Sequence, residues 1–86
     1  MYNIIERYMN RLTKSDVNSF AEKNNVFLSE EELDFTYAFV KKNWATVIAN
    51  PNTLNLDRYK DKFTEENLGK IKKLFKEYSI RYKNYL

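Results

Sequence analysis

The chain has no cysteine and no histidine, and only one glycine and one proline in 86 residues. Without cysteine there are no disulfides, no thiolate metal sites and no thiol nucleophile. Without histidine, Ser-His triads and histidine-bound zinc are excluded as well. A lone glycine cannot build a phosphate-cradling loop. Long apolar runs are also missing. Ile4-Ile5 is broken at once by Glu6 and Arg7, whereas a secretory signal needs about 7–15 apolar residues and a membrane span about 20. These absences lead us to expect a cytoplasmic chain with no membrane association, no cofactor and no evident small-molecule substrate. With no convergent carboxylate pair either, an enzyme is not expected.

The composition that fills the space is rich in asparagine and lysine, eleven of each, and poor in alanine and arginine, four of each. The favoured residues have A/T-rich codons, which points to an A/T-rich genome such as a low-GC bacterium or its phage. That origin accounts for much of the lysine excess behind the isoelectric point of about 9.1. Charge is unevenly placed: residues 1–34 carry net −3 and residues 35–86 net +6. Such asymmetry can steer a partner or let the two halves of one fold attract each other.

Apolar spacing reads as helix throughout. Residues from about Tyr2 to Leu12 place Ile4, Ile5, Tyr8, Met9 and Leu12 on one broad side. Thr13 reads as an N-cap with Asp16 in the first turn, where the helix dipole favours an acid. A second helix from about Lys14 to Asn24 turns Val17, Phe20 and Ala21 inward, and Asn24-Asn25 suits a left-handed helix end. Ser29 and Glu32 form a capping-box pattern at the start of a third helix, Glu30 to Ala49. Pro51 excludes its continuation. A short helix is expected over Asp57–Lys62, where Leu56, Tyr59 and Phe63 recur. Thr64 caps the last helix, on which Leu68, Ile71, Phe75, Tyr78, Tyr82 and Tyr85 make a short heptad-like seam.

The fold expected is all-α: one domain over residues 1–86, a small bundle of four main helices with the third central. Its core is expected to hold Leu33, Tyr37, Val40, Trp44, Ile71 and Phe75. The third helix is apolar on two sides, because Phe35 and Phe39 stand about 200° round from the Leu33–Ile48 stripe. Either helix one or two covers this pair, or it is a docking face.

Other constellations resolve to ordinary structure. Glu30, Glu31, Glu32 and Asp34 diverge round one helix end and suit the dipole better than a metal ion. They also oppose a DNA-reading helix-turn-helix, whose second helix would bring four carboxylates to the phosphates. The Asn50–Asp57 stretch fails as a calcium loop because Leu54 and Asn55 stand where an oxygen ligand and a glycine are needed. On the last helix Lys72, Lys76 and Lys83 lie on one flank of the seam and Lys73 lies behind. Together they give the pattern of a solvated face.

The phrases LTKSDVNSFAEKNNVFLSEEEL (Leu12 to Leu33) and FTEENLGKIKKLFKEY (Phe63 to Tyr78) resemble the YqfT-like family, short uncharacterised proteins of low-GC Gram-positive bacteria that make up a domain-of-unknown-function family. The resemblance implies a small cytosolic helical protein and brings no activity and no site residues.

The first functional expectation is a non-catalytic protein-interaction module that binds another protein or itself, a homodimer included. Its candidate interface is Tyr78, Tyr82 and Tyr85, with Phe35 and Phe39 second, since tyrosine is enriched at interfaces. The alternative is a nucleic-acid-associated basic protein using Lys72, Lys73, Lys76 and Lys83.

Overall fold

Two helices of this chain start by the same reciprocal device. The Thr13 hydroxyl accepts the Asp16 N–H at 3.1 Å and the Asp16 carboxylate accepts the Thr13 N–H at 3.0 Å. Ser29 and Glu32 repeat the exchange at 3.2 and 2.8 Å. Each box satisfies two of the backbone donors a helix start leaves without partners. The computed structural model describes residues 2–50 and 54–83, with side chains over 3–50 and 54–78. Among the described residues all regular structure is helical. The elements are α1 (Tyr2–Arg11), α2 (Lys14–Lys23), α3 (Glu30–Ala49), a 3-10 helix (Leu56–Lys62) and α4 (Glu65–Lys83). No helix among the described residues is long and apolar enough to cross a membrane.

The end of α2 is fixed by asparagine. Asn25 has φ 62°, in the left-handed region that asparagine tolerates better than most residues. This lets the Val26 N–H reach the Ala21 carbonyl at 2.8 Å and the Asn25 N–H reach the Glu22 carbonyl at 3.0 Å. The pair of bonds is a Schellman motif, which usually carries an apolar contact at its last residue. Here that residue is Val26, only 1% exposed.

A 20-residue helix is about 30 Å long, and the domain measures 33 × 25 × 21 Å. Thus α3 runs nearly its full length, and it packs against α1, α2, the 3-10 helix and α4. Among the described residues the bundle therefore has five helical segments, the four main helices and the short one expected near residue 57. The fifth is a seven-residue 3-10 element rather than a turn of α-helix. It opens on Asn55, whose side chain accepts the Asp57 N–H at 3.1 Å, and it kinks at Tyr59, whose φ of −112° is not helical.

The buried apolar residues are Leu12, Ala21, Val26 and Leu68. This corrects the expected core. Leu33, Tyr37, Val40, Trp44, Ile71 and Phe75 are all only half-buried. Helix periodicity identifies the inward stripe, but a chain this short cannot cover it completely. Two of the buried positions, Leu12 and Val26, lie in turns that close one helix onto the next, and Ala21 and Leu68 lie in the last turn of α2 and the first turn of α4. Phe20, expected inward, is 46% exposed, with its ring edge-on to Tyr78 at 5.3 Å.

Charged side chains close helix ends that belong to other helices. The Lys41 ammonium on α3 donates to the Met9 carbonyl at 2.8 Å and to the Asn10 carbonyl at 3.2 Å. The Tyr37 hydroxyl donates to the Leu12 carbonyl at 3.2 Å. A cation at a helix C-terminus opposes the negative end of the dipole. On α4, Lys70 likewise donates to the Asn25 carbonyl at 2.8 Å, just past the end of α2. The acidic and basic halves of the chain thus meet through ammonium-to-carbonyl bonds. Among the described residues the two ion pairs, Lys14–Asp34 and Lys72–Asp57, each stay within one half. Lys41→Met keeps the aliphatic stem and removes the charge. It should lower unfolding free energy by about 1 kcal/mol, read by urea denaturation, with extra fraying confined to α1 amides.

Candidate interaction surface

Phe35 and Phe39 form the largest aromatic cluster among the described residues. Their rings lie 6.1 Å apart on consecutive turns of α3. The Tyr59 ring sits 5.4 Å from Phe35 and 5.2 Å from Phe39, and Phe63 meets Phe35 edge-on at 5.6 Å. These separations and tilts are those aromatic pairs favour. Lys62 places its ammonium 5.9 Å from the Phe35 ring centre, within cation–π range. The second apolar face of α3 is therefore covered, but by the 3-10 helix and the residue after it. Sequence reasoning assigned the cover to helix one or two. The missed signal was the spacing of Tyr59 and Phe63, which puts both on one side of the connecting segment. All four rings remain half-buried, so the cluster keeps an outer rim in solvent.

The tyrosine candidates divide. Tyr78 is half-buried against Phe20. Tyr82 lies in α4 with its side chain outside the described set, and Tyr85 lies outside the described residues. Sequence reasoning gave no weight to the apolar side chains that the fold leaves most open. Ile4 is 75% exposed, and Tyr8 and Phe27 are nearly as open. The broad apolar side of α1 is split: Ile5 and Met9 are half-buried and Leu12 is buried, while Ile4 and Tyr8, one turn apart, face solvent.

The basic set of α4 is less free than its sequence suggests. Lys73 and Lys76 are exposed, but Lys72 is paired with Asp57, and the side chain of Lys83 is outside the described set. The Lys72–Asp57 pair lies in an open groove that is also lined by Leu54, Asn55, Leu56 and Phe75.

Among the described residues one buried ionisable group remains, and sequence reasoning saw only half of its role. Glu32 is 5% exposed. Its Oε1 accepts the Ser29 N–H at 2.8 Å and the Asn67 side-chain amide at 2.9 Å, while its Oε2 accepts the Thr64 N–H at 2.9 Å. Thr64 caps α4 through its hydroxyl, which accepts the Asn67 N–H at 3.1 Å. In a self-contained capping box the third residue of α4 would reach back to the Thr64 N–H. That residue is Asn67, and its amide is committed elsewhere: it also donates to the Phe27 carbonyl at 3.0 Å. Glu32 thus completes the caps of two helices. The signal was available, since Thr64-Glu65-Glu66-Asn67 lacks the Glu or Gln that would close its own box.

Burial is the largest single influence on Glu32 and pushes its carboxyl upward. The bonds from the Ser29 and Thr64 backbone, the Asn67 amide and the Ser29 side chain together outweigh it, and the group is held below its ordinary value of 4.5. A carboxylate so stabilised is a weak general base, and its acceptor positions are already used by the fold. The rest of the acidic group disperses: Glu30 and Glu31 are exposed and Asp34 pairs with Lys14. Among the described residues no three acidic side chains converge to hold a metal ion.

No protein-family model, no curated protein and no solved structure matches this chain.

Proposed function

We propose that the chain is a small, non-catalytic, cytoplasmic protein-interaction module, binding another protein or a second copy of itself. The observation that carries this reading is the exposure of large apolar side chains, Ile4, Tyr8 and Phe27. Single exposed apolar residues are common on any protein, but neighbours on one helix face such as Ile4 and Tyr8 lose free energy in water that a partner can recover. The outer rim of the Phe35–Phe39 cluster and the Phe20–Tyr78 pair add aromatic area of the kind interfaces favour. The buried carboxylate supports the non-catalytic part, because its bonding capacity is taken up in capping.

We also propose kinship with the YqfT-like proteins, resting on the resemblance of the two segments alone. The two resembling segments, Leu12 to Leu33 and Phe63 to Tyr78, contain Ser29, Glu32, Thr64 and Asn67, the four residues that join α3 to α4. Nucleic-acid association through Lys72, Lys73, Lys76 and Lys83 has weaker support, since Lys72 shares its charge with Asp57.

The double substitution Ile4→Ser with Tyr8→Ser removes apolar surface that is already exposed. It should leave the circular dichroism spectrum and melting temperature nearly unchanged while weakening self-association or partner capture at least tenfold. Sedimentation of the wild-type chain and quantitative pull-down from the source cells provide the readouts. A wild-type chain that is monomeric and recovers no protein would sink the proposal. Binding to DNA or RNA that falls steeply with salt would favour the nucleic-acid reading instead.

A further inference from the structure

Two segments of the chain, 27–32 and 63–67, meet at the Glu32 carboxylate, and the three groups bonded to its oxygens are donors. Ser29 and Thr64 present backbone N–H groups and Asn67 presents its amide. An ionised carboxylate satisfies all three because it only accepts. A protonated carboxyl must place its own O–H; the three donors cannot receive it, and the Ser29 hydroxyl beside it already accepts the Glu32 N–H. Its neutral form therefore weakens the charge-assisted bonds and adds a donor at a buried position.

We propose that the Glu32 junction is an acid-operated latch: protonation of this carboxylate unseats the first turn of α4 from the start of α3 before the rest of the domain unfolds. The junction is local, because the bonds concerned all lie between residues 27–32 and 63–67. Phe63 immediately precedes Thr64, so release of the latch also loosens the Phe35–Phe63 ring contact. The deepest apolar position, Val26, is held separately by the Schellman bonds at the end of α2.

Other charged groups on the elements that meet here do not substitute for the carboxylate. On α3, Glu30 and Glu31 are exposed and Asp34 is paired with Lys14 of α2. On α4, Glu65 and Glu66 are exposed and Lys70 is bonded to the Asn25 carbonyl. On the 3-10 helix, Lys62 lies over the Phe35 ring. Among the described residues Glu32 forms no ion pair, so its proton is the switch at this junction.

The test is amide hydrogen exchange by NMR, expressed as protection factors from neutral pH into acid. In the wild-type chain, protection at Thr64 should fall at least tenfold in a step below the ordinary glutamate range, while Val26 keeps its protection. Glu32→Gln should show the lowered Thr64 protection at neutral pH and no acid step. Asn67→Asp sets a second carboxylate at hydrogen-bond distance from the first, and two such groups cannot both ionise cheaply. Its step should move up by at least one pH unit. The latch is overturned if Thr64 and Val26 lose protection together in the wild-type chain, or if Asn67→Asp folds and leaves the step in place. If either variant fails to fold, the wild-type comparison of Thr64 with Val26 decides alone.

Discussion

Replacing Glu32 with alanine should cost about 3 kcal/mol of stability at neutral pH, because each buried donor left without a partner costs roughly 1–3 kcal/mol. Three donors lose an acceptor at once: the Ser29 N–H, the Thr64 N–H and the Asn67 amide. Asn67 keeps its bond to the Phe27 carbonyl, and water entering the space left by the side chain relieves part of the penalty. These offsets hold the estimate near the cost of one to two lost bonds. A small domain is stable by only about 5–15 kcal/mol, so the urea midpoint should drop visibly, with little change in slope. The deficit should also depend on pH. The folded carboxyl is held below its ordinary value of 4.5, so the unfolded chain binds the proton first as pH falls. The stabilisation by the charge is fully present above the ordinary value and is lost as pH falls through the folded one. Wild-type and Glu32→Ala chains should therefore converge in acid. A Glu32→Ala deficit under 1 kcal/mol, or one that stays constant into acid, contradicts the double-cap assignment.

Glu32 also shows where the sequence was legible and where it was not. Its capping of α3 could be read from Ser29 and its spacing, because a capping box is local: both partners lie within one turn. The starts of α2 and α4, the Asn24-Asn25 helix end and the short helix near residue 57 were legible for the same reason. What could not be read was every contact that joins residues far apart in the chain. Lys41 closing α1, Lys70 closing the turn after α2 and Glu32 capping α4 span 31 to 45 residues. No spacing rule reports a contact over that distance. The core list failed for a related reason. Periodicity gives the direction a side chain points along its own helix, but not how much neighbouring structure reaches it. Leu12 and Val26, at the joints between helices, are buried, whereas Trp44 and Phe75, on well-formed stripes, are half-buried.

The second large effect belongs to the aromatic cluster. Phe35 touches three other rings, at 6.1 Å (Phe39), 5.4 Å (Tyr59) and 5.6 Å (Phe63). Truncating a well-buried phenylalanine to alanine costs about 3–5 kcal/mol, and Phe35 is half-buried, which argues for the low end. Against that discount, each aromatic pair contributes about 0.5–1.5 kcal/mol beyond its buried area, and Phe35 holds three of them. Phe35→Ala should therefore destabilise by about 3 kcal/mol, measured by urea denaturation. Phe39→Ala, with one fewer ring partner, should cost less. Phe35→Leu should recover part of the loss through area alone and leave the ring-specific remainder as the difference. The distribution of the damage separates a covered second face from a docking face. If the 3-10 helix is the cover, Phe35→Ala loosens residues 56–63 first, and their amides exchange faster while those of α1 and α2 stay protected. If Phe35 instead serves a partner, the isolated domain is unmoved by the substitution and only binding suffers. The ring distances favour the first outcome: the second face of α3 is closed by this chain's own connecting segment, and the apolar surface left open is its outer rim together with the exposed side of α1.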